Sequence, residues 1–276
     1  MSDKPVLYYE IHEPVGANEA GNEDAPTLVL SSGLGGSANF WKPQLEALTK
    51  NFRVITYDHL GTGRSPAALP KGYSIADMAD ELLALLDSLD VTECHLIGHA
   101  LGGLVGLELA LKRPSMLTSL IPINAWSCPN IHSARCFNIR KALLAAGDKA
   151  AFLQMQTLIL YPPDWIVEHA EALQAEEAHL LAHFPDEANL LTRIEALTTF
   201  NIDDRLSGIE TDTFIIADRD DLLVPWKRSQ ILAARLPCAA LSVLDYGGHA
   251  CTVTVPNIVN DLILTHLSGY VSEETS

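Results

Sequence analysis

The feature that most constrains this chain is a cluster of glycines where an apolar stretch ends. Glu93 to Ile97 (ECHLI) reads as a short buried strand, and Gly98-His99-Ala100-Leu101-Gly102-Gly103 follows it, with Gly106 one turn later. A helical pattern begins at once, from about Ala100 to Lys112. A strand that turns straight into a helix brings the residues two positions either side of the turn so close that side chains there collide. Glycine at 98 and 102 answers that requirement, and the frame is G-x-S-x-G with Ala100 where a nucleophile would stand. Glycine-rich turns also open helices over phosphates, so the surrounding sequence has to decide between the two.

Short apolar runs alternate with longer amphipathic ones, the pattern of an α/β fold with a mostly parallel sheet and crossover helices. The strand candidates are Thr27 to Ser32, Phe52 to Tyr57, Glu93 to Ile97, Leu117 to Asn124, Thr213 to Ala217 and Ala240 to Leu244. Ser74 to Leu89 puts Ile75, Met78, Leu82, Leu85 and Leu86 on one helical face. Residues 125–212 are helical in pattern throughout, too long for a loop, and are expected to form a lid across the carboxyl ends of the strands. The domains expected are therefore a core of 1–124 with 213–276 and a helical cap of 125–212. Up to about Asn22 and beyond about Gly269 the chain reads as loosely organised.

Other chemistry-bearing residues fall at strand ends. Ser32-Gly33-Leu34-Gly35-Gly36 follows the first core strand, so the N–H groups of Leu34 and Leu101 are candidates for an oxyanion hole. Asp58-His59-Leu60-Gly61-Thr62-Gly63-Arg64-Ser65 follows the second. Asp220 and Asp221 follow Thr213 to Ala217, with Pro225 four residues after Asp221, and Gly247-Gly248-His249 follows the last strand. Either aspartate can orient His249 or cap the next helix. Asn124 also ends a strand, but an amide cannot replace a carboxylate as the acid.

Over nearly the whole chain these segments resemble the α/β-hydrolase fold: G-H-A-L-G, D-H-L-G-T-G-R-S, the D-x-x-x-P of Asp221 and Pro225, and G-G-H, in the order elbow, acid, histidine. Within that superfamily SSGLGGSANFWKPQL, GHALGGLVG, LYPPDW, DDLLVP and YGGHACTVT resemble the RutD family of the bacterial pyrimidine-degradation pathway, which is similar even in its elbow alanine. The resemblance implies a cofactor-free cytoplasmic hydrolase of uracil catabolism and nitrogen utilisation, acting on carbamate or aminoacrylate. With its acid four residues before a proline, the resemblance also favours Asp221 over Asp220.

Alanine has no lone pair to attack a carbonyl, which removes an acyl-enzyme at residue 100. The expected chemistry is a His249–Asp221 dyad that activates water in the space of the missing hydroxyl, on a small substrate unstable enough to need only modest help. Gly33, His99, Trp41, Trp126, Tyr161 and Trp165 are the expected substrate-side residues, although aromatics at such spacings are more often core. Arg135, Arg140 and Arg193 are candidates to hold a carboxylate or carbamate, against the commoner role of surface charges. His179 and His183, four apart on a helix, lack a third ligand, so no metal is expected. Three other readings stay open: a serine esterase with Ser replaced by Ala, a catalytically idle binding protein, and a dyad used for non-hydrolytic chemistry.

Composition narrows the partners. Thirty-five acidic against 18 basic residues give a net charge of −17, with no electrostatic reason to bind nucleic acid or an anionic membrane. A small anion remains admissible, because a local Arg or helix N-terminus outweighs the global field in a closed pocket. No secretory signal or membrane span is read, the five cysteines form no CxxC pair, and a homodimer stays open.

Overall fold

The computed structural model describes residues 7–14 and 25–270. The strands are β1 (Tyr9–His12), β2 (Thr27–Ser31), β3 (Arg53–Tyr57), β4 (Cys94–His99), β5 (Leu117–Ile123), β6 (Asp212–Asp218) and β7 (Ala239–Leu244). They form one sheet in the order β1-β3-β2-β4-β5-β6-β7, parallel except for β1 against β3. The helices are α1 (Lys42–Leu48), α2 (Ile75–Ser88), α3 (Leu101–Lys112), α4 (Ile131–Ala145), α5 (Lys149–Leu160), α6 (Pro163–Glu168), α7 (Ala170–Ala182), α8 (Glu187–Thr199), α9 (Lys227–Arg235), α10 (Cys251–Thr254) and α11 (Pro256–Leu267). None is long and apolar enough to cross a membrane.

Strand periodicity divides the core in two. Leu28, Leu30, Val54, Ile97, Ile121 and Ile216 pack on one face with Trp41, Leu48 and Val259 from α1, α11 and the turn before α1. Their neighbours Val29, Ile55, Leu96, Leu120 and Ile215 pack on the other, with Leu82, Leu104 and Leu232 from α2, α3 and α9. β4 is buried along its whole length, as a central parallel strand covered by helices on both faces must be. α2 starts at a reciprocal capping box: Asp77 N–H donates to Ser74 Oγ, and Ser74 N–H donates to Asp77 Oδ2.

One expectation fails at the N-terminus, where Tyr9–His12 is a strand rather than loose chain, paired from Tyr9↔Tyr57 to His12↔Val54. It is an edge strand with no fully buried residue, so it lacks the apolar signature of a core strand. Polar side chains hold it: Arg64 pairs with Glu10, and His12 Nε2 lies 3.3 Å from Thr56 Oγ1. At the other end Ser268–Tyr270 is a short turn tied down by the Tyr270 hydroxyl, which donates to Asp212 at 2.6 Å. The remaining residues read as loose, 1–6, 15–24 and 271–276, lie outside the described residues. Five helices, α4 to α8, stand between β5 and β6, with α6 and α7 separated at His169.

The strand-to-helix junction has no spare volume. A Cβ at Gly98 would overlap the Gly102 carbonyl oxygen, and one at Gly102 would overlap the Ser31 carbonyl of β2. Gly35, in contrast, has nothing within 4 Å of the position a Cβ would take. Gly102→Ala should therefore lose ~3 kcal/mol or more of urea-unfolding stability, whereas Gly35→Ala should stay within about 0.5 kcal/mol of the parent.

Candidate active site

Residue 100 sits at the carboxyl end of β4 in a conformation that L side chains rarely adopt, φ 47° and ψ −110°. Its N–H donates to Ile123 O at 2.8 Å, which ties the turn to β5, and α3 departs immediately after it. Leu101 opens α3, so its N–H belongs to the first turn, where no intrahelical acceptor exists. Gly33 lies against the same spot: a Cβ on it would stand 3.7 Å from Ala100 Cβ. The turn then closes by Gly36 N–H donating to Gly33 O at 2.9 Å, leaving Leu34 at its tip. Among the described residues, neither the Leu34 nor the Leu101 N–H is engaged by a hydrogen bond.

His249 approaches from the loop after β7. Its Nδ1 lies 2.8 Å from Asp221 Oδ2, and both side chains are almost completely buried. The other carboxylate oxygen, Asp221 Oδ1, accepts the N–H groups of Leu223 and Val224, both at 2.7 Å, which fixes the plane of the carboxylate. Nδ1 therefore carries the proton toward Asp221, and Nε2 is the free ring nitrogen. Among the described residues it has no hydrogen-bond partner, and it is not among the sealed polar atoms.

The two adjacent aspartates divide their work. Asp220 does not touch His249; it accepts from Gly247 N–H at 3.2 Å and Gly248 N–H at 2.9 Å. The rest of the loop is held as closely. Thr254 Oγ1 donates to Gly247 O at 2.6 Å, Asn124 Nδ2 donates to His249 O at 3.0 Å, and Ala250 N–H donates to Leu160 O at 2.9 Å. That last bond, with Pro162 packed over Gly248, seats the segment after α5 directly on the histidine loop.

His99 was expected to line the substrate side. It is instead sealed beneath the loop, its ring 4.7 Å from that of Phe40 and 4.8 Å from that of His249. Its Nε2 lies 2.7 Å from His249 O, and burial pushes the imidazole down to about 3, so it is neutral and donates there. Trp41 likewise leaves the expected set. It is fully buried in the core on the α1 and α11 face, because the single turn from Ala38 to Trp41 rolls its indole inward. Trp126 is buried in the same cluster as Ala100 and lines a small hollow with Ser133, Phe137 and Leu197. Tyr161 and Trp165 stack at 4.7 Å in the cap, and Trp165 continues the stack onto His169. The rings of His179, on α7, and His183, just after it, lie 4.4 Å apart, and among the described residues no group of three His, Cys, Asp or Glu side chains could hold a metal.

Asp218 and the donor role of Asn124 were missed in the sequence. Asn124, at φ 51°, donates to Asp218 Oδ2 at 3.1 Å and accepts Asp218 N–H at 3.1 Å, so the pair locks the ends of β5 and β6 together behind His249. Asp218 is completely buried, with the Cys251 thiol beside its carboxylate, and burial raises its carboxyl to about 7. Only the polar D-R-D-D run after an apolar strand marks it in the sequence. An acid held neutral by the fold gives its full stabilising contribution below its unfolded pKa and loses it as pH rises through the folded one. The stability of Asp218→Asn relative to the parent should therefore rise between about pH 4 and 7, by at most ~1.4 kcal/mol per pH unit. A flat difference in urea midpoints across that range would contradict this assignment.

Comparison with known proteins bears on this geometry. A family model described as alpha/beta hydrolase fold matches residues 26–251. A protein of Stutzerimonas stutzeri (strain A1501) named "Putative carbamate hydrolase RutD" is 57% identical over 262 residues, covering 95% of this chain and 97% of that protein. A protein of the same name from Pseudomonas syringae pv. syringae (strain B728a) is 60% identical over 233 residues, 84% of this chain and 90% of that one. Among solved structures, a hydrolase from Pseudomonas aeruginosa PA01 superimposes with a TM-score of 0.81 at 29% identity, covering 97% of this chain and 96% of that one.

Proposed function

Because this chain belongs to the α/β-hydrolase family and, within it, to the RutD group, we propose that it hydrolyses a small C–N substrate, carbamate or 3-aminoacrylate, and releases ammonia. The observation that carries the proposal is the buried His249–Asp221 pair, complete and oriented, beside an elbow that has no nucleophile. The name those relatives carry, "Putative carbamate hydrolase RutD", supports the substrate class.

In this reading a water molecule occupies the space that a serine hydroxyl would fill at Ala100. His249 Nε2 takes its proton as the oxygen attacks, and Asp221 stabilises the resulting imidazolium while holding the ring in the productive tautomer. For carbamate, one water and one substrate anion give ammonia and bicarbonate, with the C–N bond breaking as the protonated His249 returns its proton to the leaving nitrogen. For 3-aminoacrylate, water adds at the carbon that bears nitrogen, and the products are ammonia and 3-oxopropanoate. The N–H groups of Leu34 and Leu101 receive the oxygen on which charge develops. Helices α4 to α8, within residues 125–212, act as the lid, and Trp126 with the Tyr161–Trp165 stack contributes its apolar lining.

The chemistry asked of the protein is modest. Removing the nucleophile from a serine hydrolase costs ~10⁶ in turnover but leaves ~10³ to 10⁴ over water from the oxyanion hole and binding. Such a remainder is enough for a substrate that already decomposes in water, where attack by positioned water replaces the acyl-enzyme.

His249→Ala should lower ammonia release above the uncatalysed background by about 10² to 10⁴, the usual contribution of a general base. Equal rates for variant and parent would refute the dyad. Ala100→Ser should slow ammonia release, since its hydroxyl takes the water's place. If that variant instead cleaves short acyl esters efficiently with ammonia release unaltered, the serine-esterase reading is the better one.

A further inference from the structure

Arg193 on α8 is a cation without a counter-charge. Its side chain is among the largest fully buried ones in the molecule, at 1% exposure. Among the described residues no carboxylate lies within ion-pair distance of it. One guanidinium nitrogen, Nη1, donates to the Thr62 hydroxyl, and Nε has no partner among the described residues. Burial draws the group down only to about 10, so it remains charged at neutral pH. An isolated buried charge is among the costliest features a fold can carry.

The surrounding acids are already committed. Asp58 accepts from Arg64 Nε at 2.9 Å and from Ala38 N–H at 2.8 Å. Glu81 accepts the Tyr73 hydroxyl at 2.7 Å and is raised to about 7 by burial, so it is only partly ionised at neutral pH. His59, pushed down to about 4, is neutral, with its Nε2 3.0 Å from Ser32 O. The other buried cap guanidinium, Arg140, shares the unpartnered Nε and the lack of a carboxylate, but its charge lies 4.6 Å over the Phe152 ring and it donates to Gln156 Oε1 at 2.8 Å.

Position gives the unpaired charge its meaning. A Cβ at Gly36 would stand 2.6 Å from Arg193 Nη1, and one at Gly33 would stand 3.7 Å from Ala100 Cβ. Gly33 and Gly36 are the two ends of a single four-residue turn, and the ends of such a turn are less than about 7 Å apart. The guanidinium is thus held at one end of the turn, with the elbow at the other and the Leu34 N–H between them.

We propose that Arg193 is the anchor for the anionic group of the substrate, so that this site selects small carboxylates or carbamates over their neutral amides and esters. The inference rests on the hydrolytic reading above and deepens it. The planar guanidinium fork receives a carboxylate in two parallel hydrogen bonds, and the anion neutralises a charge that the fold itself leaves unpaired in a low-dielectric interior. The same arrangement explains how a chain of net charge −17 admits an anion. The lid itself contributes the positive charge.

The test uses acrylate, a stable carboxylate, and acrylamide, its neutral isostere, in binding to the full chain. Acrylate should bind at least about tenfold more tightly than acrylamide to the parent, and Arg193→Met should abolish that preference while Arg193→Lys retains part of it. Equal binding of the two probes to the parent, or an unchanged preference in Arg193→Met, overturns the proposal. In case the variants do not fold, the ¹⁵N Nε resonance of Arg193 in the unaltered protein should shift on adding acrylate and stay still with acrylamide; no shift with acrylate overturns the proposal too. Acrylate selectivity without ammonia release would refute the hydrolytic reading and leave the anion site standing; ammonia release without selectivity would do the reverse.

Discussion

The close approach of β2, β4 and α3 at the elbow is the constraint on which the remainder of the site depends. Because Gly98, Gly102 and Ser31 touch through main-chain atoms, α3 can leave β4 with no intervening loop. Residue 100 is then forced into its left-handed conformation and carried to the carboxyl edge of the sheet. That single junction aims the first N–H groups of α3 at the space above Ala100 and brings Gly33 within van der Waals reach of it. The fold meets this steric cost whether or not a nucleophile stands there, so the preorganised donors survive the absence of the hydroxyl.

Opposing this junction is the histidine loop, held by a dense set of polar contacts rather than by apolar packing. Gly247, Gly248, His249 and Ala250 each give at least one main-chain group to Asp220, Thr254, Asn124, His99 or Leu160. Two buried imidazoles lie edge to face there, and the sealed one is neutral, which spares His249 a neighbouring positive charge. The loop is also joined to α5 through Leu160 O, so the end of that helix and the residue next to His249 share a hydrogen bond.

The glycines of the elbow, the six core strands and the amphipathic face of α2 were legible in the sequence, since each follows from a periodicity or a steric rule that local residues express. The edge strand Tyr9–His12 was not, because an exposed strand carrying Glu and His has no buried stripe to betray it. Trp41 and His99 were placed on the substrate side by their neighbourhood in the chain, and only three-dimensional packing shows the indole turned into the core and the imidazole sealed under the loop. Asp220 and Asp221 could not be separated by spacing alone; the difference lies in which loop atoms each carboxylate reaches. Arg193 was one of three candidate arginines, and no local pattern reports that its charge is buried and unpaired.

The central claim is that water, not a side chain, attacks the substrate above Ala100. Its most direct test is a rapid-quench experiment in which ammonia and the intact mass of the chain are followed together through the first turnovers. The account predicts ammonia accumulating to many equivalents faster than the uncatalysed reaction, with no initial burst and with the mass of the chain unchanged throughout. A burst of one equivalent accompanied by a covalent adduct would contradict it, and so would ammonia release no faster than in buffer.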